Sequence, residues 1–142
     1  MIKNMWKWPI VALLLIFSLN TSAAVVVIVS AKSSVVSMSQ GQVASLFLGK
    51  STALPGGGSA QMFDLPESSP VREQFYQSVA GKSASQVKAV WSRLVFSGKA
   101  LPPKELSSDA EVKKAVASDL LGIGYINATS IDATVKTVLT LP

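Results

Sequence analysis

The residues best placed to do chemistry lie between Asp64 and Phe75, read D-L-P-E-S-S-P-V-R-E-Q-F. Ser69 is a good helix N-cap, because its hydroxyl can accept from the free N–H groups of a first turn. Pro70 suits the first helical position, where its missing N–H costs nothing. Ser68, Ser69 and Arg72 are therefore expected where backbone donors and a positive dipole end converge, and such a helix start can hold an anion. Arg72 adds a planar fork that matches the oxygens of an oxyanion. Asp64 adds a carboxylate that can accept a proton from hydrogen phosphate, which sulfate cannot supply near neutral pH. The plain alternative is a capped helix start that binds only water.

Other chemistries are less well provided for. The sequence has no Cys, so it offers no disulfide framework and no thiolate metal ligand, and no His, the commonest general base. No metal site, cofactor or catalytic set is expected, and an enzyme is the least favoured class. A nucleotide loop is not expected at Pro55-Gly56-Gly57-Gly58, which lacks the following Lys-Ser/Thr and reads as a connection.

The elements that must position these residues can be read in order. Lys3 and Lys7 precede an apolar run from Ile10 to Phe17 and then small residues up to Ala24. This pattern is a signal peptide over residues 1–24, cleaved near Ala23 or Ala24, and it implies a periplasmic, soluble product. The apolar run is too short to span a bilayer comfortably. Removing Lys3 and Lys7 from a net charge of +5 leaves +3, with the lysines scattered. That does not suggest a nucleic-acid binder, which needs a dense basic stripe. The remainder, residues 25–142, has the size of one domain.

Val25–Ser30 is a continuous apolar, β-branched run, expected to be a strand buried on both faces. Ser37 and Gln40 have capping-box spacing ahead of Val43, Leu46 and Phe47, with Gly49 to end that helix. Residues 60–65 read as a short strand. Val71, Phe75 and Val79 mark the buried stripe of the helix that begins at Pro70, and Gly81 stops it. Ser83 and Gln86 cap a third helix, whose Val87, Val90, Trp91, Leu94 and Val95 are expected in the core. Ser108 and Glu111 form another capping box, with Val112, Ala115 and Val116 inward and Lys113 and Lys114 solvated. Residues 122–126 and 134–139 read as strands, the former with close backbone approach at its glycines. Strands alternating with helices argue for an α/β layered domain.

Three stretches, in this order, resemble the phosphate-binding receptor of bacterial phosphate ABC importers. Residues 39–50, S-Q-G-Q-V-A-S-L-F-L-G-K, are similar to that family's helix ending in Phe/Tyr-x-Gly-Lys. Glu67-Ser68-Ser69-Pro70 lies where the family carries its phosphate loop, and Leu121-Gly122-Ile123-Gly124-Tyr125-Ile126 is similar to the strand Gly-Ala-Ile-Gly-Tyr-Val. The resemblance implies one half of a type 2 periplasmic binding protein: a single α/β lobe, its sheet flanked by helices. It implies phosphate or a related oxyanion as ligand, with Ser68, Ser69, Arg72 and Asp64 around it. It also implies an ABC importer membrane complex, a second protein lobe or a homodimer as partner. The alternative is a lobe without ligand that acts as an accessory protein through protein contacts. Where the family has an Arg, this chain has Asp64, so Asp64→Arg is expected to strengthen anion binding.

Overall fold

The uninterrupted apolar run Val25–Ser30 needs cover on both faces, and it is the centre of the fold. The computed structural model describes residues 23–142, so the expected signal peptide lies almost wholly outside the described residues. The elements are β1 (Val25–Ser30), α1 (Gln40–Phe47), β2 (Gln61–Asp64), α2 (Pro70–Ala80), α3 (Ala84–Phe96), β3 (Lys104–Glu105), α4 (Asp109–Ala117), β4 (Gly122–Asn127), a single 3-10 turn (Ala128–Ser130) and β5 (Val135–Leu141). They form one five-stranded sheet of order β3-β2-β4-β1-β5. β1 runs antiparallel to both β4 and β5, while β2 is parallel to β4 and to β3. All six residues of β1 are buried.

Helices cover both faces, as expected of an α/β sheet. α4 lies on one face, and glycine in β4 is what lets it approach. A Cβ added at Gly124 would stand 2.7 Å from Val112 Cγ1 and 3.2 Å from Val116 Cγ2, both on α4. Gly124→Ala should therefore cost about 1–3 kcal/mol through overpacking. A thermal melt unchanged by this replacement would show that α4 does not rest on that strand. The next residue, Tyr125, points to the other face. There its ring stacks on Phe75 of α2 with centroids 3.9 Å apart, and Phe47 of α1 meets Phe75 edge-on at 5.0 Å.

Four local expectations need correction. The box that caps α1 is Ser39 with Gln42: Gln42 N donates to Ser39 Oγ at 3.1 Å, and Ser39 N to Gln42 Oε1 at 2.8 Å. The pair Ser37 and Gln40 has the same spacing. However, Met38 N donates to Val138 O of β5 at 3.0 Å, which holds residue 38 against the sheet and delays the helix by a turn position. At α4, Ser108 Oγ accepts from Glu111 N as expected, but the Glu111 carboxylate accepts from Ser107 N and Ser107 Oγ instead of closing the box. Those two donors hold its pKa below the usual value. Lys113 is half-buried: its Nζ donates to Ser130 O at 2.9 Å and lies 3.1 Å from Asp132, tying α4 to the turn after β4. Finally, α3 buries Val87 and Trp91 but not Val95, which is 48% exposed at the last turn.

Candidate functional site

The start of α2 folds as its residues dictate. Ser69 is the N-cap, its Oγ accepting from Arg72 N at 3.3 Å, and Pro70 opens the helix. Ser68 precedes it in an exposed turn, and among the described residues its hydroxyl has no hydrogen-bond partner. Arg72 and Tyr76 follow on one helix face, one turn apart. Both are buried.

Asp64, the last residue of β2, lies under this face. Its Oδ2 accepts from Tyr76 OH at 2.6 Å, and its Oδ1 accepts from Tyr125 OH and from Leu65 N. Arg72 Nη1 donates to Leu65 O at 2.8 Å and stands 3.8 Å from Asp64 Oδ2 and 3.9 Å from Glu105 Oε2. The guanidinium carbon also sits 5.5 Å from the centre of the Tyr76 ring. Arg72 Nε is buried with no partner. The tyrosines respond to this company. Burial first, and then the Asp64 charge, push both phenols well above their ordinary pKa.

Of the four residues that sequence reasoning places around an anion, Asp64 and Arg72 thus come together at one buried cluster. Ser69 is occupied as the cap, and Ser68 faces outward nearby. Tyr76, Tyr125 and Glu105 were not foreseen. One sign was available for the tyrosines: a buried phenol needs a partner for its hydroxyl. The expectation for Asp64→Arg does not survive. An Arg at this buried position would face Arg72 and leave the Tyr76 and Tyr125 hydroxyls without their acceptor.

A cleft of about 460 Å³ opens beside the cluster, with Asp64, Arg72, Trp91, Phe96, Pro102 and Glu105 on its walls. It lies at the carboxyl ends of the parallel strands β2 and β3, where open α/β sheets take their ligands. On its rim Lys88 pairs with Glu67 at 3.1 Å. Two carboxylates therefore face one buried guanidinium, and the rim charges cancel. A small ligand here would meet a mixed wall, apolar on the α3 side and polar on the α2 side. Among the described residues no group of three His, Cys, Asp or Glu is arranged to hold a metal ion. No helix among them is long and apolar enough to cross a membrane.

No family model matches the sequence, and no curated protein is significantly similar to it. Solved structures do resemble the fold. A protein assigned as a phosphate ABC transporter substrate-binding protein from Clostridium perfringens, with phosphate bound, superposes with a TM-score of 0.66 at 19% identity, over 82% of this chain and 45% of that one. An ABC-type phosphate transport receptor from Vibrio cholerae gives 0.64 at 17%, over 82% and 46%. PstS from Borrelia burgdorferi gives 0.62 at 13%, over 82% and 47%. At such identities the shared property is the fold: an α/β lobe with a helix-flanked sheet, as the residue resemblance implies. This chain spans less than half the length of each of these structures.

Proposed function

We propose that this chain is an exported, single-lobe solute-binding protein that captures a small oxyanion, phosphate foremost, for an ABC-type importer. Capture involves no bond making or breaking. The observation that carries this reading is Arg72, only 7% exposed, on the wall of the cleft with its Nε unpartnered at the first turn of α2. An oxyanion at that point would draw on the guanidinium, the free Ser68 hydroxyl and the positive helix end. Asp64 and Glu105 on the same wall disfavour a fully ionised anion and favour one that can donate a proton. One lobe encloses a ligand on one side only, so the remaining shell would come from the importer, a second protein lobe or a second copy of the chain.

Titration calorimetry with phosphate and sulfate tests this. Phosphate should bind more tightly than sulfate. Ser68→Asp, which adds a charge at an exposed position, should abolish binding without disturbing the core. Arg72→Lys should weaken it by about 1.5–3 kcal/mol, the range for a charged hydrogen bond. If wild type gives no heat with either anion at millimolar concentration, the oxyanion reading is wrong. A second reading is a ligand-free lobe that works through protein contacts. It is favoured by the Asp64 carboxylate, which already draws the Tyr76 and Tyr125 hydroxyls and Leu65 N inward, so donors beside the cleft are spent within the protein.

A further inference from the structure

The cleft beside α2 is larger than an inorganic oxyanion needs. Its volume of about 460 Å³ lies in the range of sites for small organic molecules. Part of its wall is apolar, built from Trp91, Val95, Phe96, Pro102 and Pro103. The Trp91 indole Nε1 donates to Phe47 O at 2.9 Å, so this ring has only apolar surface left to offer. The charged groups on the wall are Asp64, Arg72, Lys88 and Glu105, two of each sign.

Most of these charges are already answered. Lys88 pairs with Glu67. Asp64 accepts from Tyr76 OH, Tyr125 OH and Leu65 N, and Arg72 lies against it. One donor and one acceptor are left. Arg72 gives one N–H to Leu65 O, and its Nε is buried with no partner. The Glu105 side chain is 60% exposed, and Arg72 Nη1 stands 3.9 Å from it, beyond hydrogen-bond reach. A lone anion at Arg72 would stand against Glu105, and a lone cation at Glu105 would stand against Arg72. A ligand with both charges side by side answers both groups at once.

We infer that this cleft binds an apolar α-amino acid in its zwitterionic form. The carboxylate accepts from the Arg72 guanidinium, whose planar fork suits it. The ammonium donates to Glu105. Both groups sit on one carbon, as the closeness of Arg72 and Glu105 requires. The side chain lies against Trp91 and Pro102 and covers Phe96, which is otherwise 96% exposed. The inference rests on the proposed role of Arg72 as the contact for an anionic head group, and it names a ligand class that also fills the apolar part of the cleft.

Titration calorimetry with L-phenylalanine and L-leucine tests this, together with the shift of the Trp91 indole N–H in nuclear magnetic resonance spectra. Both amino acids should bind saturably and move that signal. Glycine lacks the side chain, L-phenylalaninamide the carboxylate and N-acetyl-L-phenylalanine the ammonium. Each should bind at least tenfold more weakly than L-phenylalanine. Glu105→Gln should weaken L-phenylalanine at least tenfold. It should leave N-acetyl-L-phenylalanine no weaker than before, because that compound has no ammonium to lose a partner. Glu105 is exposed, so an unchanged melting temperature separates lost binding from lost folding. Phosphate binding with no response to either amino acid at millimolar concentration overturns the inference and leaves the oxyanion reading standing. Amino-acid binding without phosphate binding supports the inference and removes the phosphate assignment. If none of these ligands binds, both fail. Phenylalaninamide or N-acetyl-L-phenylalanine bound as tightly as L-phenylalanine also overturns the inference, since the paired charges would then not be what is recognised.

Discussion

Asp64→Ala is expected to cost about 3–5 kcal/mol of folding stability, the cost of breaking a buried charged pair by removing one partner. The carboxylate is the shared acceptor for Tyr76 OH, Tyr125 OH and Leu65 N, and it lies against Arg72. Its removal leaves the two phenol hydroxyls buried with nothing to accept them, while Leu65 N keeps the Tyr125 hydroxyl at 3.2 Å, and each orphaned group carries its own desolvation penalty. Arg72 would keep Leu65 O and the more distant Glu105, which is largely solvated and therefore a weak substitute. Asp64→Asn should fall between, since it keeps one acceptor oxygen and loses the charge. Urea denaturation checks this, with an unchanged slope and a lower midpoint expected. An Asp64→Ala protein within about 1 kcal/mol of wild type, the value of one ordinary hydrogen bond, would show that the cluster does not hold the lobe together.

Raising the pH should unfold the protein in a way that both of its tyrosines report. The sequence has two tyrosines, Tyr76 and Tyr125, and both donate to Asp64. Burial, followed by the Asp64 charge, raises both above the ordinary value of 10.0, while Arg72 opposes this at Tyr76. A phenol whose folded pKa exceeds its unfolded value is held neutral by the fold. Its contribution is complete below the unfolded pKa and declines as pH rises beyond it. Each such tyrosine removes about 1.4 kcal/mol per pH unit in that range, so the pair makes the decline twice as steep. In a near-ultraviolet titration, tyrosinate should be absent from the folded protein at pH 10 and should appear together with the loss of circular dichroism in one cooperative step. Gradual ionisation near pH 10 with the fold intact would contradict the placement of both side chains. Tyr76→Phe and Tyr125→Phe should each halve the steepness of the decline with pH, because one titrating phenol is removed, while lowering stability at neutral pH through the lost donor to Asp64.

What could be read in the sequence was local in cause. Val25–Ser30 is apolar without interruption, and Ser69-Pro70 caps and opens a helix through its own neighbours, so both were legible. Ser37 and Ser39 each have a Gln three positions on, and what decides between them is Met38, held by Val138 of the last strand. The fate of Val95 was likewise hidden. Its spacing continues the stripe of Val87 and Trp91, but Trp91 meets the end of α1 at Phe47 O, and whether anything covers the next turn depends on how α3 docks on its neighbours. In the candidate site, Ser69 and Arg72 were visible as a helix start. The Asp64–Tyr125 bond was not, because it joins residues 61 positions apart through the pairing of β2 with β4.

The place of β1 between β4 and β5 fixes the order of events when the chain first folds. The first strand of the sheet to be synthesised has no hydrogen-bonded neighbour until residues 122–141 exist. Such distant pairing raises the contact order and slows folding, because the loop must close before any contact rewards it. Until then Val25–Ser30 is a β-prone, uncharged and proline-free segment with both edges open, the composition that seeds intermolecular stacking. A chain built this way stays unfolded through most of its synthesis and depends on being kept from its own copies until its C-terminal strands arrive.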